Sequence, residues 1–161
     1  MASELNINEI LENAINDPTL FSKIDIELLL ESIEKDKNDY LENKTMKDVT
    51  NDIFNKINEL DISNQEKQTI CNKLIGYRYV DEIHEMHKGK HVRWIRNANN
   101  KLTNGGIVMD IKFLNTGTQI LCMNSINRFN QYKFDECFTF QKLTVEEQLI
   151  LMAYDYMHNS T

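Results

Sequence analysis

The chain has 161 residues, of which 41% are hydrophobic and 27% charged; these values are ordinary for a globular protein and too apolar for a disordered one. Five glycines and one proline exclude collagen-like and linker sequences, and the net charge is −7. No apolar run approaches the roughly 18–20 residues that cross a bilayer, and the first residues lack the pattern of a secretory signal. We expect an intracellular protein, cytoplasmic or nuclear, with no membrane partner.

Charge is distributed unevenly along the chain. Residues 1–86 carry 9 Lys and Arg against 19 Asp and Glu, a net charge of −10, whereas residues 87–142 carry 9 against 3, a net charge of +6. A basic segment inside an acidic chain indicates either a surface for an anionic partner or two regions that neutralise each other. Both interpretations stay open at this point.

Three cysteines stand far apart in the sequence, at Cys71, Cys122 and Cys137. Their odd number and the lack of a C-x-x-C pair argue against a disulfide framework and against a zinc knuckle. This usage is typical of a reducing compartment.

Apolar residues recur at steps of three and four in the first half of the chain, which predicts four helices. Two of them are predicted within residues 6–17 and 26–33, each after a capping Asn or Asp. The third begins at Thr45 and has the apolar stripe Met46, Val49, Ile53, Ile57 and Leu60. The fourth begins at a capping box of Ser63 and Glu66, and we expect it to continue past Gly76 and to end at Gly89.

After Gly89 the apolar period changes to two, which is typical of strands. Five short strands are predicted, over residues 91–96, 107–113, 120–123, 129–134 and 137–140. Five strands within about 50 residues favour a small closed or nearly closed antiparallel barrel. Thr144 and Glu147 form a further capping box, which starts a C-terminal helix.

The predicted fold class is therefore α+β, with three parts in chain order. Residues 1–88 form an acidic helical region, residues 89–142 a basic five-stranded barrel, and residues 143–161 a helix that packs back.

The segments KGKHVRWI and GGIVMDIKF resemble the opening of Tudor-like and KOW-type small barrels, in which glycine turns precede the first two strands. The resemblance covers residues 88–142. It implies a barrel that binds nucleic acid, other proteins or modified tails and performs no catalysis. The segment RFNQYKFDECFTFQKLT is similar to uncharacterised proteins of large DNA viruses, which implies a location in the host cytoplasm or the virion.

No residue pattern in the chain is typical of catalysis. The spacing of His84, His87 and His91 does not match H-E-x-x-H, and Gly89 interrupts the second pair. Asp135 and Glu136 are neighbours on a predicted strand, so their carboxylates point to opposite faces. We predict that the protein is not an enzyme and needs no metal or cofactor.

Basic residues alternate with aromatic ones in the barrel segment, which is typical of nucleic-acid binding. We predict that seven cations neutralise phosphates: Lys88, Lys90, Arg93, Arg96, Lys101, Arg128 and Lys133. Phe129 or Tyr132 is predicted to stack on bases, whereas the single tryptophan, Trp94, is expected in the core. The predicted function is binding of nucleic acid or nucleoprotein, with weak sequence preference and steep salt dependence.

A second function stays open, that of a protein-interaction or structural module in a virion or assembly. In that interpretation the stripe of the third helix pairs with itself or with another protein. The simpler interpretation of the stripe is the core of the protein itself. The sequence leaves the partner, the oligomeric state and the choice between DNA and RNA undecided. It also leaves open whether the basic face is exposed and whether His84 and His87 bind a metal.

Overall fold

The computed structural model describes Leu41 and residues 44–159. The two helices predicted within residues 6–17 and 26–33 lie outside the described residues. The chain divides into two compact units, of which one is Thr50–Lys142 and the other includes the described residues 44–49 and 143–159. Within the described ranges, no helix is long and apolar enough to cross a membrane.

Helix α1 spans Met46–Asn58 and confirms the third predicted helix. Thr45 caps it, since its Oγ1 accepts a hydrogen bond from the Asp48 N–H at 3.3 Å and the Asp48 carboxylate accepts one from the Thr45 N–H at 2.9 Å. These two bonds satisfy backbone donors that the first helical turn leaves unpaired. Four members of the predicted stripe are buried: Val49, Ile53, Ile57 and Leu60. The stripe therefore belongs to the core of the protein, which is the simpler of the two interpretations given above.

Helix α2 spans Asn64–Lys73 and begins at the predicted cap, where the Ser63 Oγ accepts a hydrogen bond from the Glu66 N–H at 3.1 Å. The predicted continuation past Gly76 is wrong. Gly76 has a φ of +88°, and Tyr77–Val80 form the first strand, β1. Side chains along β1 alternate between half-buried and buried, which is the period of a strand.

The predicted helix end at Gly89 is also wrong, because the chain around Gly89 forms a turn and no α-helix leads to it. Gly89 lies in a turn with a φ of +87°, and its N–H donates to the Val108 carbonyl at 2.8 Å. A positive φ strains any residue with a Cβ, so glycine serves a turn here as well as it serves a helix end.

The described residues form a six-stranded antiparallel sheet in the order β1-β6-β2-β3-β4-β5. After β1, the strands are β2 His91–Arg96, β3 Gly106–Leu114, β4 Gly117–Met123, β5 Phe129–Lys133 and β6 Cys137–Lys142. All five predicted strands are present, and β1 is the sixth. The closed barrel is wrong, because β5 pairs only with β4 and β1 only with β6, so the sheet is open with two edges.

Both faces of the central strand β2 are covered by apolar side chains. On one face Val92 and Trp94 join a cluster with residues of β3, β4 and β5, among them Val108, Ile120, Cys122 and Tyr132. On the other face Ile95 and Phe140 pack with the apolar side of α1 and α2: Ile53, Ile57, Leu60, Ile70 and Leu74. Burial on both sides is consistent with the full burial of Val92, Trp94 and Ile95, which lie on different faces of β2.

Helix α3 spans Val145–Asn159 and confirms the predicted C-terminal helix. Its capping box is complete: the Glu147 N–H donates to the Thr144 Oγ1, and the Thr144 N–H donates to the Glu147 carboxylate, both at 3.0 Å. Leu149, Ile150 and Leu151 are buried.

Candidate functional site

A groove of about 420 Å³ lies between two connections of the sheet, the 97–105 loop before β3 and the 124–128 turn before β5. Its lining residues are His91, Trp94, Arg96, Thr103, Asn104, Gly105, Asn124, Ser125, Ile126 and Asn130. None of the ten is acidic. The volume is within the range of pockets that bind small ligands.

Trp94 lies at the buried base of this groove, with only 2% of its surface exposed. Its ring stacks on that of Tyr132 at a centroid distance of 4.2 Å and an interplanar angle of 16°. The expectation that Trp94 is a core residue is confirmed. The same contact buries Tyr132, whose hydroxyl shares a hydrogen bond of 3.0 Å with Thr139. Burial raises the pKa of the Tyr132 hydroxyl, and the ring offers no exposed face for a base, contrary to the prediction.

The loop side of the groove is bonded to β2. The Trp94 N–H donates to the Thr103 Oγ1 at 3.2 Å, and the Thr103 N–H donates to the Trp94 carbonyl at 3.0 Å. Gly105 then runs so close to β2 that an added Cβ would overlap the Val92 carbonyl oxygen. These contacts shape the groove before any ligand binds.

The turn side of the groove is held by Asn124. Its side-chain oxygen accepts hydrogen bonds from the Ile126 N–H at 3.1 Å and the Arg128 N–H at 2.9 Å. Asn127 between them has a φ of +61°, which asparagine tolerates better than most residues. This turn leaves Ile126 65% exposed at the rim.

The polar side chains of Arg96, Asn104 and Asn130 are open to a ligand. All three residues are exposed, and their side chains make no hydrogen bond or ion pair within the part of the chain that the structure describes. His91 instead shares a hydrogen bond of 2.9 Å with the Tyr77 hydroxyl. Burial, with Arg93 and Lys142 nearby, lowers the pKa of His91, so the charge of the groove at neutral pH comes from Arg96.

Three predicted phosphate-binding residues lie on or beside the groove. Arg96 lines it, and Lys101 is exposed on the loop that leads to Thr103. Arg128 is exposed one place before β5, where alternation of side chains puts it on the side of Asn130.

The other predicted site residues do not line the groove. Lys88 forms an ion pair of 3.3 Å with Asp110. Arg93 is on the face of β2 opposite Trp94, and its guanidinium donates to the Thr103 carbonyl at 2.9 Å and to the Lys73 carbonyl at 3.4 Å. The half-buried Lys90 precedes β2, and its carbonyl accepts from the Val108 N–H at 3.0 Å.

Phe129 and Lys133 are exposed, but they lie on the opposite face of β5 from Asn130 and Tyr132, because they occupy the alternate positions of the strand. The nine predicted residues therefore do not form one face.

A buried ion pair lies in the segment that the sequence pattern placed on a helix. Arg78 of β1 and Glu85 are both buried, and the Arg78 Nη1 lies 3.0 Å from the Glu85 Oε1. The Arg78 Nη2 also donates to the Glu85 carbonyl at 2.7 Å. Gln141 of β6 joins them, because its Nε2 donates to that carbonyl at 3.4 Å and its Oε1 accepts from the His87 N–H at 2.9 Å. The pair thus ties residues 81–87 to β1 and β6.

The histidines considered for metal binding are dispersed. His84 is 60% exposed and lies 3.2 Å from the Glu82 carboxylate. Within the described ranges, no three His, Cys, Asp or Glu side chains are placed to hold a metal ion. The cysteines are free thiols, and burial raises the pKa of Cys122 to about 12 and that of Cys137 to about 11.

The asparagines of the groove were missed as site residues. Asn104 belongs to a predicted loop, where asparagine is common for purely conformational reasons. Asn124 directly follows a predicted strand, and Asn130 lies within another. Only the fact that all three line one cavity distinguishes them from the other asparagines of the chain.

Comparison of the chain with protein-family models, curated proteins and solved structures gives no match. The resemblance to Tudor-like and KOW-type barrels and the similarity to viral proteins therefore stay predictions. Function has to be argued from the groove.

Proposed function

We propose that the protein binds nucleic acid through the groove side of its sheet and catalyses no reaction. One observation carries this proposal: the groove has no acidic lining residue and contains the Arg96 guanidinium, which no described residue neutralises. In a chain of net charge −7, such a site favours an anionic ligand.

The number of cations at the groove sets the expected binding mode. Arg96, Lys101 and Arg128 are the basic residues on or beside it. Each phosphate that a cation neutralises releases counterions, so affinity falls as salt rises. Three cations support contact with a few phosphates. This is a smaller number of contacts than the seven cations predicted from the sequence would make.

The glycine turns support the proposed relationship to Tudor-like small barrels. Gly89 precedes β2, Gly105 precedes β3, and the strands β2 to β5 form an antiparallel meander. The proposal of a viral protein in the host cytoplasm, nucleus or virion rests on sequence resemblance alone.

The proposal predicts a salt dependence that one substitution reduces. With three phosphate contacts on a single strand, log K is expected to fall against log salt concentration with a slope of about −2. Arg96→Ala should weaken binding and reduce the steepness of that slope by about 0.7, because one contact is lost. The measurement is a fluorescence-anisotropy titration of a labelled twelve-nucleotide oligothymidine at several salt concentrations.

Lys133→Ala is the matched control, since it removes one exposed positive charge from the opposite face of β5. It should leave the slope unchanged. Absence of binding at low salt contradicts the proposal, and so does an equal effect of the two substitutions.

A protein-interaction module is the second candidate, and the exposed apolar surface of the helices favours it. Phe54 on α1 is 58% exposed beside a cleft of about 190 Å³ between α1 and α2, and Ile75 after α2 is 79% exposed. Because the predicted stripe is core, any pairing has to use this other surface.

For the second candidate, sedimentation velocity is expected to show a self-associated wild-type protein and a monomeric Phe54→Ser variant. Asn55→Ser, an exposed neighbour on α1, is the control. A strictly monomeric wild-type protein contradicts self-association through this surface.

A further inference from the structure

The hydrogen-bonding groups of the groove suit the edge of an uncharged polar ligand. Asn104 is on the loop, Asn124 in the turn and Asn130 on β5, so amides reach the cavity from three segments. An amide presents a donor and an acceptor side by side, which complements the edge of a nucleobase. The oxygen of Asn124 is bound to two backbone N–H groups, so its NH₂ group is left to donate.

The groove also has an apolar side chain for the face of a planar ring. Ile126 is 65% exposed at its rim, whereas Trp94 lines the buried base and is almost fully covered. Trp94 Nε1 is, in addition, the one buried side-chain donor or acceptor left without a hydrogen-bond partner among residues 44–158. Unsatisfied buried donors are rare in native proteins, and a water molecule or an ion that completes the bonding is one explanation for them.

Charge distinguishes between possible ligands of this kind. A cationic side chain would meet Arg96 and no lining carboxylate, so the groove disfavours methylated lysine or arginine. A nucleotide, in contrast, combines a neutral polar base with an anionic phosphate that Arg96 can contact. In a duplex the base edges are paired and the faces stacked, so only an unpaired base can enter.

From these observations we infer that the groove accepts one unstacked nucleobase, and that the protein therefore prefers single strands to duplexes. The inference rests on the proposed function and specifies which part of the nucleic acid the groove recognises. The asparagine amides bind the base edge, the exposed side chain of Ile126 contacts the ring, and Arg96 contacts the neighbouring phosphate.

The test compares two single strands of equal length and charge, oligothymidine and a strand made only of abasic sites. Wild-type protein is expected to bind oligothymidine about tenfold more tightly than the abasic strand, because one base bound in the groove contributes roughly that factor. The double variant Asn104→Ala/Asn130→Ala should lose most of this preference and keep its affinity for the abasic strand. Both residues are exposed, so the substitutions should leave the fold intact, which circular dichroism checks.

Asn115→Ala is the matched control, because Asn115 is an exposed asparagine in the turn between β3 and β4 and does not line the groove. A second readout is the fluorescence of Trp94, the single tryptophan, which should change with oligothymidine and not with the abasic strand. A duplex of the same sequence should bind more weakly than its single strand.

The outcomes separate the inference from the proposed function. Equal affinity for oligothymidine and the abasic strand overturns the base pocket and leaves binding of nucleic acid standing. An equal loss of affinity for both strands in the double variant also overturns it. Absence of binding to either strand at low salt contradicts the proposed function itself.

Discussion

Replacing Glu85 with leucine is expected to lower the free energy of unfolding by about 3–5 kcal/mol, because the Arg78 guanidinium stays buried without the Glu85 carboxylate. Arg78 is 3% exposed and Glu85 9% exposed. The Glu85 carboxylate also accepts a hydrogen bond from the Glu82 N–H at 2.9 Å, so the substitution removes a support of the short helical turn Ile83–Glu85 as well. Urea denaturation followed by Trp94 fluorescence measures the change.

The double variant Arg78→Leu/Glu85→Leu separates the ion pair from the packing around it. Removing both charges leaves neither ion buried without the other, so the loss of stability should be smaller than the sum of the two single losses.

Lys88→Ala is the control for an exposed pair. Lys88 and Asp110 are 3.3 Å apart with side chains 65% and 40% exposed, and removal of such a pair should change stability by less than about 1 kcal/mol. If Glu85→Leu costs no more than Lys88→Ala, the buried pair does not hold the 81–87 segment.

Replacing Gly105 with alanine is expected to lower the free energy of unfolding by about 3 kcal/mol, from left-handed strain and steric overlap together. Gly105 has a φ of +77°, and its Cβ would overlap the Val92 carbonyl oxygen. That oxygen belongs to the backbone of the central strand β2, so it cannot move away without disturbing the pairing of β2 with its neighbours.

Gly89→Ala measures the left-handed strain without the overlap, so the difference between the two variants gives the steric part. Gly89 has a similar φ of +87°, but nothing lies within 4 Å of an added Cβ. It should therefore cost only the left-handed strain, about 1–2 kcal/mol. Thermal and urea denaturation of both variants give the comparison, and equal losses would show that the contact between the loop and β2 contributes nothing to stability.

The starts of the described helices could be predicted from the sequence because short-range interactions determine them. The capping bonds at Thr45, Ser63 and Thr144 join residues only three positions apart. The alternation that predicts β2 and β3 is equally local. Strand β1 was missed because only four residues alternate and one of them is Arg78, whose burial depends on Glu85 seven positions away and on Gln141 of β6.

Sheet closure could not be predicted, since it depends on which strands pair across long distances in the chain. The five predicted strands suit a closed barrel, but β1 adds to β6 and leaves the sheet open. The number and period of strands is local information, whereas the identity of the edge strands is not.

For the candidate site, composition is enough to locate an excess of positive charge in residues 87–142 and to predict that Trp94 is a core residue. Which of those charges share a surface depends on the folded arrangement of the strands. Arg93 and Arg96 lie on opposite faces of β2, and Tyr132 points inward where Lys133 points outward. The physical reason is that side-chain composition is a property of a segment, whereas a binding groove is formed by loops and strands that meet only through non-local hydrogen bonding and packing.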